Sequence, residues 1–183
     1  LAYSSIAHAG YILMGSVVLT ITGLKAMLVY LFVYLFMNLG AFLIVTVIFD
    51  SEKTFEIQDY DGMFRRSPFL ATAMSIFMLS LIGIPPFSGF LGKLYIFGAV
   101  IDQGLFWFAV VGALNAAIAA FYYMRVMKHM ILENSTGNNT PLHISYLNRA
   151  LLVALLVPNI FLIVFWTPID EWTASSVTLF RGL

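Results

Sequence analysis

The chain has no cysteine among its 183 residues, and its formal net charge at pH 7 is zero. Without cysteine it can form neither a disulfide framework nor a thiolate site for a metal or an iron–sulfur cluster. It also contains no glycine-rich nucleotide loop and no pair of haem-type ligands. We therefore expect no cofactor or metal site in this chain. The balanced charge gives no reason to expect a nucleic acid as a partner.

Charged residues are scarce as well. They make up 10% of the chain, against about 25% in soluble domains, while hydrophobic residues make up 61%. This composition predicts an all-α integral membrane protein. The chain starts at Leu1 and soon enters an apolar run, without the basic region or cleavage site of a signal peptide. We therefore expect it to be the C-terminal part of a longer polypeptide.

A membrane-spanning helix needs about 20 apolar residues, and five stretches of the chain meet this requirement. The predicted transmembrane helices cover residues 6–23, 26–49, 68–101, 105–132 and 146–166. The third is too long for one straight crossing, and the fifth should be kinked at Pro158. Residues 50–67 and 133–143 are predicted loops, and residues 167–183 form a mildly amphipathic tail without a predicted position.

The basic residues near the ends of these helices fall mainly on one side of the membrane. That side collects Lys53, Arg65, Arg66, Arg125, Lys128 and Arg149, and the other side has Lys25 and Arg181. By the positive-inside rule the first side is cytoplasmic. Loops 50–67 and 133–145 are thus predicted to be cytoplasmic, and the tail to be periplasmic in a bacterial inner membrane.

The third predicted helix contains the strongest helix-breaking signal of the chain. Proline removes a backbone donor and clashes with the preceding turn, and glycine permits the compensating backbone path. The residues concerned are Gly83, Pro85, Pro86 and Gly89. We predict two half-helices joined by an irregular segment at about residues 84–88.

Lys93 follows this break and is the only charged residue between Arg66 and Asp102. A lysine at the centre of a spanning helix costs roughly 2.5–3.5 kcal/mol, and broken helices commonly mark ion sites where they line a cavity. Lys93 is therefore a candidate functional residue. The structural alternative is a lysine near a helix end that extends to the membrane surface.

Two further polar features lie within the apolar helices. Tyr30, Tyr34 and Asn38 recur every four residues and share one helix face, which indicates either helix–helix hydrogen bonding or a wall for water molecules. His8 lies near the start of the first helix, and an imidazole can relay protons. The alternative for His8 is a hydrogen-bonding residue at the membrane boundary.

Four segments of the chain form a recognisable set: LAYSSIAHAGY (1–11), GMFRRSP (62–68), GIPPFSGFLGKLY (83–95) and FYYMRV (121–126). Together they resemble subunit N, the antiporter-like membrane subunit family of bacterial-type NADH–quinone oxidoreductase (respiratory complex I). Their order and spacing agree with the family over about residues 1–130. The setting of Lys93 in Gly-Lys-Leu-Tyr is more similar to subunit N than to its sister subunits.

This resemblance implies the C-terminal portion of a fourteen-helix antiporter-like fold. Residues 1–132 would be four helices of the second inverted repeat, with the broken helix at about 68–101, and residues 133–183 a loop, the final transmembrane helix and the tail. Lys93 matches the lysine that the family places on its broken helix. His8 matches a histidine on the family's central proton axis. The first half-channel would lie upstream of Leu1, so this chain alone should not complete a channel.

The function implied by the resemblance is proton translocation coupled to quinone reduction, with Lys93 and His8 transferring protons. NADH, FMN, the iron–sulfur clusters and quinone would be bound by other subunits. The partners would be the other membrane-arm subunits, including sister antiporter-like subunits, and lipids. Two alternatives stay open: a subunit of a related multi-subunit sodium/proton antiporter, and a membrane scaffold in which Lys93 only pairs with a carboxylate.

Overall fold

The structure is a computed structural model that describes residues 1–53, 56–134, 141–142 and 144–179. All regular elements in these residues are helices, which confirms the predicted all-α class. They are α1 Ala2–Val17, α2 Ile21–Glu52, a 3-10 helix Ile57–Tyr60, α3 Met63–Arg66, α4 Pro68–Ile82, α5 Ser88–Asp102, α6 Phe106–Ile131, α7 Tyr146–Phe161 and α8 Trp166–Leu179.

Helix α2 is the centre of the bundle. Its 32 residues extend over about 48 Å at 1.5 Å per residue, more than the roughly 30 Å of a bilayer's hydrocarbon core. It packs against α1, α4, α5, α7 and α8. Apolar side chains on its inner face, such as Val33, Met37 and Ile44, are fully buried. Because α1 and α5 both lie against this helix, residues far apart in the chain meet on its surface.

Helix length alone identifies fewer crossings than the five predicted. Among the described residues, α2 and α6 are long and apolar enough to span a membrane. A third span results if α7 and α8, which are bent by 90° relative to each other, count as one. The remaining long helices, α1, α4 and α5, have 16, 15 and 15 residues. The predicted count of five therefore stays a prediction.

The turn between the first two helices lies earlier than predicted. The bounds of the first two predicted helices place it at residues 23–25, but α1 ends at Val17 and α2 begins at Ile21. The side chain of Thr20 accepts a hydrogen bond from the Gly23 amide at 3.2 Å and so caps α2. Gly23 instead allows close packing, because a Cβ atom on it would lie 2.5 Å from the carbonyl oxygen of Gly15.

Charged residues cluster at the two ends of the bundle. At one end Arg66 pairs with Glu52, and His129 Nδ1 lies 2.5 Å from Asp61 Oδ1. At the other end Lys25 Nζ lies 2.7 Å from Asp170 Oδ1. This grouping agrees with the predicted division of basic residues between two sides. Of the residues used in that prediction, Arg181 and part of loop 133–145 lie outside the described residues.

The described part of the C-terminal tail forms a helix. The sequence predicted no position for this tail. Helix α8 packs against α2 and buries Ile169, Thr173 and Val177. Helix α7 continues through Pro158 to Phe161, and a 90° change of direction separates it from α8. The predicted kink at Pro158 stays a prediction. The Lys25–Asp170 ion pair ties α8 to the start of α2.

Helix α6 presents an exposed apolar stripe along its length. Its members are Trp107, Val111, Leu114, Ile118 and Phe121, all more than 60% exposed. Residues spaced by three and four lie on one helix face. A soluble monomer rarely exposes so continuous an apolar surface. This stripe agrees with a helix that faces lipid or other membrane helices.

Candidate functional site

The chain leaves the helical conformation between Ile82 and Ser88, within one residue of the predicted segment 84–88. Gly83 ends α4 with a left-handed φ of +86°, and its amide donates to the carbonyls of Leu79 and Ser80 at 3.1 and 2.9 Å. Such a cap is typical of glycine, which adopts a positive φ without steric penalty. The peptide bond between Pro85 and Pro86 is cis.

The ammonium group of Lys93 lies against the open end of α4. Its Nζ donates to the carbonyl oxygens of Leu81 and Ile82 at 3.0 and 2.6 Å. The last carbonyls of a helix have no partner within the helix and carry partial negative charge, so a cation is stabilised there. Lys93 is only 6% exposed. The Lys93 side chain therefore points inward to the break. It does not extend to the membrane surface, as the structural alternative would require.

Two glycines make room for this arrangement. A Cβ atom on Gly83 would lie 2.8 Å from Cδ of Lys93, so glycine leaves space for the lysine side chain. A Cβ atom on Gly89 would lie 1.8 Å from the carbonyl oxygen of Ser80. The first turn of α5 thus lies directly against the last turn of α4, which keeps the two helix ends together across the break.

His8 lies inside the bundle with both ring nitrogens hydrogen-bonded. Its Nδ1 is 2.7 Å from the hydroxyl of Tyr30, and its Nε2 is 3.1 Å from the hydroxyl of Tyr123. The Tyr123 hydroxyl also bonds the hydroxyl of Ser4. The imidazole is 1% exposed. The His8 ring is thus buried within the bundle, whereas a role in proton transfer stays a prediction.

Tyr11 contacts both His8 and Lys93. Its ring centroid is 5.8 Å from that of His8 and 5.2 Å from Lys93 Nζ, within the range of a cation–π contact. The Tyr11 hydroxyl donates to the carbonyl of Gly112 on α6 at 3.0 Å. His8 and Lys93 therefore contact the same aromatic ring.

The three predicted lining residues have different surroundings. Tyr30 bonds His8, and Tyr34 stacks on the His8 ring with centroids 4.9 Å apart. Asn38 is further along the same face, and its Oδ1 is buried with no hydrogen-bond partner among the described residues. Tyr30 and Tyr34 thus form part of the histidine site, whereas nothing in the described residues links Asn38 to it.

Several polar residues of this region were not singled out from the sequence. Ser80 and Ser88, one on each side of the break, both bond Asn159 of α7. An amide within the apolar part of α7, after residues 151–157, was a usable signal for Asn159. Tyr11, three residues after His8, shares its helix face and could have been found by that spacing.

Comparison with known proteins identifies the family. A family model described as NADH:quinone oxidoreductase/Mrp antiporter, TM, matches residues 1–119. The chain belongs to this family. A protein of Anaeromyxobacter sp. named NADH-quinone oxidoreductase subunit N is 43% identical over 100% of this chain and 37% of its own length. One of Sorangium cellulosum named subunit N 2 is 41% identical over 99% of the chain and 36% of its own length. These relatives confirm the resemblance to subunit N.

The chain spans little more than a third of the length of these curated relatives. Among solved structures, it is similar to a chain of respiratory complex I from Thermus thermophilus with bound Aureothin. The two are 28% identical with a TM-score of 0.78, over 93% of this chain and 38% of that one. A chain of the Mrp complex from Dietzia sp. matches with a TM-score of 0.81 at 20% identity, over 96% and 41%. At that identity the likeness shows the fold alone.

Proposed function

We propose that this chain is part of the proton-translocating machinery of a bacterial NADH–quinone oxidoreductase in the inner membrane, and that Lys93 carries the proton. The observation that supports this most is the buried Lys93 ammonium at the break between α4 and α5. An ionisable residue at membrane depth is costly and by default indicates an ion or proton path. The relatives named subunit N support the same function.

In this proposal α4 and α5 together make one discontinuous membrane crossing. The five crossings are then α1, α2, α4 with α5, α6, and α7, with residues 1–132 as part of the second inverted repeat and 133–183 as the loop, last crossing and tail. The end that carries Arg66 and His129 is cytoplasmic, and the end with Lys25 and Asp170 is periplasmic. The charge grouping at the two ends of the bundle supports this orientation.

The two carbonyls at Lys93 suit a group that gains and loses a proton. An ammonium has three N–H donors, of which two meet the carbonyls of Leu81 and Ile82. The neutral amine keeps two N–H donors and exposes a lone pair in place of the third. Both protonation states can therefore satisfy the same carbonyls, and the third position gives or accepts the proton without a rearrangement of the helix ends.

His8 is placed to pass protons towards Lys93. A neutral imidazole has one donor nitrogen and one acceptor nitrogen, and here each nitrogen meets a tyrosine hydroxyl. A proton received at one nitrogen can leave from the other. In this proposal water molecules beside the Tyr11 ring carry the proton from His8 to Lys93, which releases it on the far side of the break.

The redox chemistry belongs to other subunits in this proposal. NADH, FMN, the iron–sulfur clusters and quinone are bound there, and this chain supplies residues that hold and move protons. Its partners are the other membrane-arm subunits, including sister antiporter-like subunits, together with lipids. The fold likeness to chains of complex I and of the Mrp complex supports a place in a multi-subunit membrane assembly.

The experiment that tests this function uses the whole complex that contains this chain, reconstituted in liposomes. Addition of NADH and quinone should drive proton uptake, read with a pH-sensitive dye, and a protonophore should abolish the signal. The alternative, a sodium/proton antiporter subunit, predicts sodium-dependent exchange without NADH and no co-purification with iron–sulfur proteins. That result would overturn the proposal.

Variants of His8 distinguish a proton relay from a structural hydrogen bond. We expect both His8→Gln and His8→Leu to lower coupled turnover about tenfold or more, because neither side chain transfers protons as imidazole does. Glutamine can still donate and accept hydrogen bonds at the two tyrosine hydroxyls. The measurement is NADH:quinone turnover per assembled complex. Normal turnover of His8→Gln together with a defect of His8→Leu would show that His8 is only structural.

A further inference from the structure

A buried hydrogen-bond network joins α7 to both sides of the break. The Oδ1 atom of Asn159 accepts from the hydroxyl of Ser80 at 2.8 Å and from that of Ser88 at 3.2 Å. Ser80 is in the last turn of α4, and Ser88 is the first residue of α5. All three residues are fully buried. One amide oxygen thus bridges the two helix ends that the break separates.

The network is closed by backbone groups on both sides. The hydroxyl of Ser80 accepts from the amide of Gly89 at 3.2 Å, which is one of the amides that the start of a helix leaves unpaired. The Nδ2 atom of Asn159 donates to the carbonyl of Leu155 in its own helix at 3.0 Å, which fixes the orientation of the amide. The Asn159 amide therefore accepts two bonds and donates one in a single defined orientation.

This network lies next to the acceptors of Lys93. Ser80 is followed in the chain by Leu81 and Ile82, whose carbonyls hold the Lys93 ammonium. Lys93 itself is on α5, five residues after Ser88. The distance between Nζ and its two carbonyls therefore depends on how α4 and α5 are placed relative to each other. Asn159 bonds one residue on each of these helices, close to the point where they meet.

We propose that Asn159 is a positioning residue, which fixes the end of α4 against the start of α5 and so keeps the Leu81 and Ile82 carbonyls on the Lys93 ammonium. The consequence for transport rests on the proposed function of Lys93. The hydrogen bonds of Asn159 within the described residues go to Ser80, Ser88 and Leu155, and not to the ammonium or its carbonyl partners, so it acts through the geometry of the break. Burying these three polar side chains without hydrogen bonds would cost free energy. The folded bundle therefore favours the one arrangement in which they bond each other.

The test measures coupled NADH:quinone turnover per assembled complex. Asn159→Leu has a similar branched shape but no polar atoms, and we expect turnover to fall about tenfold, since an ångström-scale displacement of reacting groups is costly. Asn159→Asp should keep most of the activity. A buried carboxyl group favours its neutral form, and in that form it accepts from both serines and donates to Leu155 as the amide does.

Combining variants separates positioning from general support of the fold. Ser88→Ala should also lower turnover, and adding Ser88→Ala to Asn159→Leu should cause no further loss, because both changes remove the same contact. The proposal would be overturned if the two losses of turnover multiplied in the double variant, or if either single variant had normal turnover. If Asn159→Leu fails to assemble, Ser88→Ala and Asn159→Asp still test the proposal. Lower turnover of Ser88→Ala with most of the activity kept in Asn159→Asp supports it, and normal turnover of Ser88→Ala overturns it.

The two proposals fail in different ways. If Lys93→Met pumps protons normally, the proposed function of Lys93 is wrong whatever the Asn159 variants do. If Lys93→Met stops pumping while Asn159→Leu has wild-type turnover per complex, only the positioning role is wrong.

Discussion

Replacement of Lys93 by methionine is expected to lower the coupled NADH:quinone turnover of the whole complex by about a hundredfold, within the range of a lost proton-transfer group. Oxidation of NADH with an artificial acceptor should stay within about twofold of wild type, because that reaction does not pass through this chain's proposed path. Methionine has a similar length and packs well among apolar side chains. The measurement compares both activities in the same membranes.

The substitution also has a structural cost. Methionine donates no hydrogen bond, so the carbonyls of Leu81 and Ile82 lose the lysine as their donor. An unsatisfied buried acceptor costs about 1–3 kcal/mol. Some loss of assembled complex is therefore expected, and turnover must be expressed per complex. Wild-type turnover per complex in Lys93→Met would contradict the proposed function.

Replacement of Gly89 by alanine is expected to disrupt the break and with it the assembly of the complex. The new Cβ atom would lie 1.8 Å from the carbonyl oxygen of Ser80, a backbone atom that cannot rotate away. The ends of α4 and α5 must then separate, which weakens the Gly89–Ser80 hydrogen bond. We expect a destabilisation of about 3 kcal/mol or more. The amount of assembled complex and its thermal stability measure this effect.

The same helix provides a matched control. Gly98 is also in α5, and a Cβ atom there meets nothing within 4 Å in the described part of the chain. Gly98→Ala should therefore leave assembly unchanged or raise stability by up to about 1 kcal/mol, since alanine favours the helix. Equal behaviour of the two alanine variants would show that close contact at the break is not required.

Local chemistry explains which features could be predicted from the sequence. The break at residues 83–87 was predictable because Gly83, Pro85 and Pro86 act on their own backbone and immediate neighbours. The predicted start of α2 was wrong because a glycine such as Gly23 is compatible both with a turn and with a close contact between helices. Only the packing of Gly23 on Gly15 and the cap at Thr20 distinguish them.

The partners of the site residues could not be predicted in the same way. His8 meets Tyr123, which is 115 residues away, and Ser80 meets Asn159, which is 79 residues away. Such pairs depend on how the helices pack and not on any periodicity along one helix. The sequence identified Lys93 and His8 as exceptional. The carbonyls that hold Lys93 and the contact of both residues with the Tyr11 ring could be seen only in the folded bundle.

The most direct measurement of the central claim is the number of protons pumped per NADH by the Lys93→Arg complex in liposomes. Arginine keeps the positive charge and can donate to the carbonyls of Leu81 and Ile82, but it effectively never releases its proton. Lys53→Met, at a lysine whose side chain is 71% exposed, serves as the control. If Lys93 carries the proton, Lys93→Arg should lose coupled pumping while Lys53→Met keeps it. Pumping at the wild-type ratio in Lys93→Arg would show that only the charge at position 93 matters.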